Sequence, residues 1–290
     1  MANDAIVGID LGGTNVRVGK VRGRAIDAHH AQPISGNAAE DEVLQEIFDS
    51  VDRVFDKDVV GIGCGVPSVV NVERGIVYTV ENIPSWREVP LKDKLQDRYG
   101  VNAFINNDAN AFAVGEMHFG KGRGYRDIVG LAIGTGLGAG LVLDGRLYSG
   151  SNCGAGEVGE IPYRDHKIEY YCSGEFFQRE AGAAGNVVFE RAQQGEDDAL
   201  QLFEAFGFEV GHAVMTVLYA YDPEIIIFGG SISKAYPLFK AGMRKRLESY
   251  AYQHALERLT IAVSETDNIA VLGAAALYLD ATGRSSSAGV

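Results

Sequence analysis

The sequence predicts an α/β protein built as two lobes, and three observations carry that expectation. Short apolar runs end repeatedly at glycines or acids and lead into stretches of helical periodicity, the alternation expected of α/β chains. A strand, glycine turn and returning strand open the chain, and the same series recurs in outline after residue 127. The length of 290 residues accommodates roughly one large or two moderate domains.

The elements follow in order. AIVGID (residues 5–10) is an apolar strand ending at an acid and two glycines, and VRVGKV (16–21) returns with β-branched alternation. In DEVLQEIFDSVDRVF, Val43, Leu44, Ile47, Phe48, Val51, Val54 and Phe55 recur at helical spacing and mark one apolar face. VVGIGCGVP reads as a buried strand and VNAFI (101–105) as another, followed by a small-residue helix, DANAFAVGEMHFG, closed by Gly120. After the turn-rich KGRGYRD, residues 128–133 form a strand, GTGLG a turn and AGLVLDG a returning strand. Helices are expected around 174–193 and over 197–221, then the strand EIIIFGG (224–230), then a strand-to-helix unit in NIAVLGAAALYLDA. GRSSSAGV reads as a flexible end. No Pro- or Ser-rich linker is present, so a boundary within 117–127 is expected to be a hinge between packed lobes.

Composition narrows the function classes. With 46% hydrophobic and 22% charged residues, the chain has the balance of a globular protein. A net charge of -13 repels nucleic acids and anionic membranes at long range, so a small-molecule partner is expected, with no nucleic acid and no membrane. The start MANDAIVGID lacks a positive leader region, and no segment reaches the about 18 apolar residues of a membrane helix, so a cytoplasmic location is expected. Cys64, Cys153 and Cys172 are too few and scattered for a disulfide framework and read as free, buried thiols.

Two glycine turns sit at matching places: Gly12, Gly13 and Thr14 after the first strand, and Gly134, Thr135, Gly136 and Gly138 after the strand of the second half. Glycines let a backbone approach a ligand closely, and exposed N–H groups with a threonine hydroxyl can donate to phosphate oxygens. A tight hairpin requiring positive φ explains either turn alone; their recurrence favours a shared polyphosphate. GTGLGA also fits the dinucleotide pattern, but that pattern must open a helix and here a strand follows. Asp10, beside the first turn, is placed to meet a Mg²⁺ ion or its waters, or to cap the turn.

In INNDANAFAVGE (105–116) an apolar strand ends in two asparagines and an aspartate before a helix begins. Asp108 is a good helix N-cap. It also stands at the carboxyl end of a strand, where α/β sheets open to ligands. A carboxylate able to take a proton from an alcohol, Asn107 able to bind hydroxyls, and two phosphate-type turns together suit a sugar and ATP.

The motifs DLGGTN, NNDANAFAVGE, IGTGLGAG, GAGEVGE and FGGS, in that order over nearly the whole chain, resemble the ROK family of sugar kinases and related repressors, within the actin-like ATPase superfamily. The resemblance implies a two-lobed actin-like ATPase (ribonuclease H-like) fold with ATP and sugar in a cleft between lobes. A smaller lobe over 1–118 would be completed by a C-terminal helix near 273–284, with a larger lobe over 119–272. It implies Asp108 as general base and Asn107, Asn82, Ser68, Glu157 and Glu160 on the sugar side, Ser68 standing where a loop glycine is usual. On the nucleotide side it implies Asp10, Gly12, Gly13, Thr14, Asn15, Gly134, Thr135 and Gly136, with Gly229, Gly230 and Ser231 toward the adenosine. ATP and Mg²⁺, with Asp10 reaching the metal through water, are the implied cofactors, and a homodimer the implied assembly.

The chain departs from the family at one place. Many members carry a histidine after GExG and a cysteine cluster, which together bind structural zinc; here Glu160 takes the histidine's place and YYCSGEFF retains only Cys172. One thiol cannot complete a Cys₃His site, even with His166 nearby, so no zinc is expected. The expected activity is phosphorylation of a hexose, glucose at its 6-hydroxyl first, with fructose, mannose, allose or an N-acetylated hexosamine as alternatives. A sugar-sensing regulator of the same family is the alternative of another class. Regulators carry a DNA-binding segment ahead of the kinase-like region, and with DLGGTN beginning at residue 10 no such segment is expected.

Overall fold

The structure, a computed structural model, describes residues 4–284. Strands β1 (Ala5–Leu11) and β2 (Asn15–Arg22) pair antiparallel around the first glycine turn, and β3 (Ala25–Pro33) extends the sheet along β2. Helix α1 (Glu40–Asp52) buries Val43, Leu44, Ile47 and Val51, and its first turn carries Glu40, Asp41 and Glu42 at the positive end of the helix dipole. Strand β4 (Val59–Val66) lies parallel to β1 and is buried along nearly its whole length, as a strand covered on both faces must be. Three short strands, β5 (Val70–Asn71), β6 (Ile76–Val80) and β7 (Ile83–Val89), form a small antiparallel sheet of their own. Helix α2 (Leu91–Tyr99) ends at Gly100 in the left-handed conformation. Strand β8 (Asn102–Asn107) then adds parallel to β4, and α3 (Asp108–Phe119) follows it directly. The first sheet therefore has the order β3-β2-β1-β4-β8.

The second series uses the same logic. It comprises β9 (Ile128–Ile133), β10 (Leu137–Leu143), β11 (Arg146–Leu147), the small hairpin β12 (Pro162–Tyr163) and β13 (His166–Lys167), and helices α4 (Ile168–Cys172), α5 (Gly174–Ala181), α6 (Gly185–Gln193) and α7 (Asp197–Tyr221). Then come β14 (Ile225–Gly229), α8 (Tyr236–Leu247), α9 (Gln253–Arg258), β15 (Thr260–Val263) and α10 (Ile269–Thr282). The order β11-β10-β9-β14-β15 repeats that of the first sheet, with β9, β14 and β15 parallel.

The described residues fall into two compact units, one formed by 4–124, 140–155 and 265–284, the other by 125–139 and 156–264. This division differs from the expected boundary at 118/119: residues 140–155 associate with the first unit. The last element also differs from expectation. NIAVLGAAALYLDA is helix from Ile269 onward, α10, and the strand of that unit is the preceding TIAV. A run that is apolar on every side suits a helix buried all round as well as a strand, and small residues decide the matter. A Cβ on Gly63 of β4 would stand 1.8 Å from Ala274 O, and one on Gly115 of α3 would stand 2.6 Å from Gly273 Cα. The small-residue character of α3 is thus the condition for close helix packing in the first unit. In the second, α7 and α8 meet through Gly207 and Gly242 in the same manner. The helix expected over 174–193 is two helices, because Gly182 adopts a left-handed conformation between them. Of the expected flexible end, residues 285–290 lie outside the described residues. All three cysteines are free and buried.

Candidate active site

In the first unit, β1, β4 and β8 run parallel and end together, and their carboxyl ends carry the expected site residues. Register aligns Asp10 with Gly65, and Gly65 with Asn106, so Asp10 and the Asn107–Asp108 pair lie two strands apart, roughly 10 Å by sheet spacing. Gly65 forms the floor between them; a Cβ there would stand 3.2 Å from Ala111 Cβ and 3.7 Å from Asp108 Cα.

The helix cap is Asn107, where Asp108 had also suited that role: its Oδ1 accepts from the Ala109 N–H at 2.8 Å and the Asn110 N–H at 3.4 Å. Its amide nitrogen donates to the Ser68 carbonyl at 3.4 Å, tying the end of β8 to the loop after β4. Asp108 is the first residue of α3, exposed, and accepts the Ala109 N–H at 2.8 Å. Beneath it lies a buried polar network that sequence reasoning missed. Asn106 accepts from Asn110 Nδ2 at 2.9 Å and from the Cys153 thiol at 3.2 Å, and donates to Ser149 Oγ at 2.9 Å. The spacing of four between two asparagines spanning a strand-to-helix junction was the available signal, but Ser149 and Cys153 are distant in sequence.

In the DLGGTN turn, the Gly12 N–H donates to the Asn15 carbonyl at 2.9 Å and Asn15 Nδ2 donates to Thr14 Oγ1 at 2.9 Å. Positive φ does not explain these glycines, since neither Gly12 nor Gly13 has it. Close approach does at Gly13, where a Cβ would stand 2.3 Å from Asn82 Nδ2. Asn82 is therefore brought against the turn in the same unit. Asp10 receives Arg17 Nη1 at 3.2 Å, and its carboxyl is raised from the usual range, chiefly by burial, with Arg17 opposing the shift. The Ser68 hydroxyl donates to backbone carbonyls of its own loop, Thr79 O at 2.5 Å and Val69 O at 3.1 Å.

In the second unit, β9 and β14 are adjacent, with Ala132 opposite Gly229, so the turns that follow them are neighbours. Within the first of these turns the Gly134 N–H donates to Gly136 O at 2.9 Å, and the Gly174 N–H donates to Gly134 O at 2.8 Å. Thr135 is exposed. Gly230 has φ of 80°, and a Cβ on it would stand 2.3 Å from Ile133 O, so no other residue fits. Beside these turns opens a cavity of about 550 Å³ lined by Gly134, Thr135, Ser231 and Lys234, by Glu175, Gln178 and Asn186, and by the rings of Phe177, Phe189 and Phe203. An apolar wall with a few polar groups at one end suits a flat heterocycle carrying a charged tail. Its α6 residues lie outside every motif read from the sequence.

Glu157 and Glu160 are exposed, Glu157 just before a short 3₁₀ turn of this unit and Glu160 at its end. The Glu157 carboxyl is raised by desolvation first, then by the charges of Glu160 and Glu169, against the lowering effect of Lys167. Glu160 accepts from Lys167 Nζ at 2.5 Å. Zinc chemistry does not fit the donors in this region. Cys172 is fully buried with its thiol pushed well up, Glu160 is held by a lysine, and His166 stacks on Tyr170 with centroids 3.8 Å apart. Among the described residues no group of three or more His, Cys, Asp or Glu is placed to hold a metal ion.

The chain is similar to known proteins along most of its length. A glucokinase of Thermotoga maritima is 30% identical over 312 residues, spanning 96% of this chain and 98% of its own. A xylose repressor of Caldicellulosiruptor bescii is 28% identical over 314 residues, spanning 95% of this chain and 78% of its own. A solved ROK family glucokinase of Streptomyces griseus, in complex with glucose and AMPPNP, superposes with a TM-score of 0.76 at 26% identity, covering 94% of this chain and 98% of that one. The ROK family pattern itself matches residues 6–281, nearly the whole chain, so this chain belongs to the ROK family.

Proposed function

We propose that this chain is an ATP-dependent hexose kinase, with the 6-hydroxyl of glucose as the leading acceptor. The observation that carries the reading is Asp108, an exposed carboxylate at the carboxyl end of β8, beside the cap residue Asn107. The likeness to the Streptomyces griseus enzyme, solved with glucose and AMPPNP, supports the same reading. In the first unit Asp108 accepts the proton of the attacking hydroxyl, while Asn107 and Asn82 orient the sugar. An ordinary carboxylate is too weak a base to ionise an alcohol beforehand, so the proton moves late, and alignment with charge neutralisation supplies most of the rate. Ser68, whose hydroxyl is engaged in its own loop, contributes through its carbonyl contact with Asn107. In the second unit Glu157 and Glu160 accept from sugar hydroxyls, Gly134, Thr135 and Gly136 meet phosphate oxygens, and the cavity beside Gly229, Gly230 and Ser231 takes the nucleoside.

Asp10, Gly12, Gly13, Thr14 and Asn15 form the second phosphate turn. Asp10 fits a Mg²⁺ role through water: it is a largely buried carboxylate with one cationic neighbour, and Mg²⁺ is commonly held by one or two carboxylates plus phosphate oxygens. When bound, that ion neutralises the triphosphate.

Fructose, mannose, allose and N-acetylated hexosamines remain acceptor alternatives, since epimers differ by one or two hydrogen bonds. A regulatory reading has repressor relatives, such as that of Caldicellulosiruptor bescii, on its side; Asp108, Asn107 and the two glycine turns favour the kinase. Among the described residues no helix is long and apolar enough to cross a membrane, and we infer a cytoplasmic homodimer. The test is ADP release with Mg-ATP against a panel of hexoses, with Asp108→Ala in parallel. One sugar should support turnover, and the variant should lose about 10²- to 10⁴-fold in kcat with a smaller change in sugar affinity. Turnover undiminished in the variant, or no sugar turned over at all, defeats the proposal.

A further inference from the structure

Two carboxylates of the second unit, Glu160 and Glu169, converge on one cation, and Glu157 lies within the field of all three charges. Lys167 Nζ donates to Glu160 Oε1 at 2.5 Å and to Glu169 Oε1 at 3.0 Å. The other oxygen of Glu169 accepts the Leu137 N–H at 2.8 Å, the residue that closes the Gly134–Gly136 turn. That turn is packed against the same group, since a Cβ on Gly136 would stand 2.5 Å from Glu169 Oε2. Gly159 packs alongside; a Cβ on it would stand 2.4 Å from Leu137 O and 3.3 Å from Glu169 Cβ. One continuous chain of contacts thus runs from the segment bearing Glu157 and Glu160, through Lys167 and Glu169, to the phosphate-type turn.

We propose that Lys167 is a positioning residue: it bridges Glu160 to Glu169, so that the sugar-side carboxylates and the Gly134–Gly136 turn are held in one arrangement. This rests on the kinase reading and deepens it. The Glu160 arm is the weaker, because that carboxylate is 60% exposed and exposed ion pairs contribute little. The Glu169 arm, at 22% exposure and with a backbone hydrogen bond on its far oxygen, carries the positioning. Lys167 also has an electrostatic effect. Of the charged groups acting on Glu157, Glu160 and Glu169 raise its carboxyl and Lys167 alone lowers it. Removing the lysine therefore raises Glu157 further, whereas removing the Glu160 charge lowers it. An acceptor of sugar hydroxyls works best ionised, so the acid limb of activity must move in opposite directions in the two cases.

The experiment measures wild type, Lys167→Met, Lys167→Arg and Glu160→Gln for KM, kcat and the pH dependence of kcat/KM, which reports groups of the free enzyme. Lys167→Met should raise the sugar KM about tenfold or more, with a smaller fall in kcat, as expected when positioning is lost away from the reacting atoms. Its acid limb should move to higher pH, that of Glu160→Gln to lower pH, and Lys167→Arg should restore most of the sugar affinity. Lys167 is 39% exposed on a hairpin, and melting temperatures separate misfolding from mispositioning. If Lys167→Met keeps wild-type KM and acid limb, or both variants shift the limb in the same direction, the positioning role is wrong. No turnover by wild type would instead overturn the kinase reading on which it rests.

Discussion

Asp10 and Asp108 are both carboxylates at the ends of parallel strands, yet their surroundings assign them different work. Asp10 is largely buried against Arg17, its proton affinity raised by desolvation, and it suits the holding of a cation that shares its charge. Asp108 is exposed in the first turn of a helix whose cap is supplied by its neighbour Asn107, and its carboxylate accepts one N–H of that turn. A third titrating residue bears on stability. Burial pushes His118 from 6.5 down to about 4, so the unfolded chain binds the proton more readily than the folded one. Stability from this group is complete above about 6.5 and is lost as pH falls toward 4, a change on the order of 3 kcal/mol. His118→Gln should therefore flatten the fall in stability over that window, measured by urea unfolding at stepped pH. An unchanged slope would show that His118 is not protonated on unfolding.

At the scale of elements, glycine placement governs packing. Strand β4 presents Gly63 to the backbone of α10, and no side chain fits between them. Gly63→Ala should destabilise the first unit by about 1–3 kcal/mol through overpacking, read as a lowered urea midpoint with an unchanged m-value. The same reasoning explains which parts of the fold were legible. α1 and α7 carry long apolar periodicity, and the sequence reading of each agrees with the structure to within a few residues. The small sheet of β5, β6 and β7 was not anticipated, because its strands are two to seven residues long and alternate weakly. α10 was misread in part because an apolar run buried on all sides has no period to detect.

For the molecule as a whole, a net charge of -13 opposes the approach of a triphosphate. Binding of nucleotide should then depend on divalent cation. AMPPNP with Mg²⁺ at about 100 times its Kd should add about 2.7 kcal/mol of stability, seen as a raised melting temperature. Removing Mg²⁺ with EDTA should abolish most of that shift. An equal shift without the cation would mean that backbone N–H groups and side chains suffice to neutralise the phosphates.

The sequence by itself determined the α/β class, the repeated glycine turns, the strand-end position of Asp108 and the family, because each is written in contiguous residues whose local chemistry is readable. Tertiary structure decided what depends on residues far apart in the chain. It brought Ser149 and Cys153 beneath Asn106, set Asn82 against Gly13, assembled the aromatic cavity from α5, α6 and α7, and joined Lys167 to Glu169 and the turn at Leu137. Such contacts follow from how helices and sheets close on one another, and close packing admits them only where a glycine or a partnered polar group makes room.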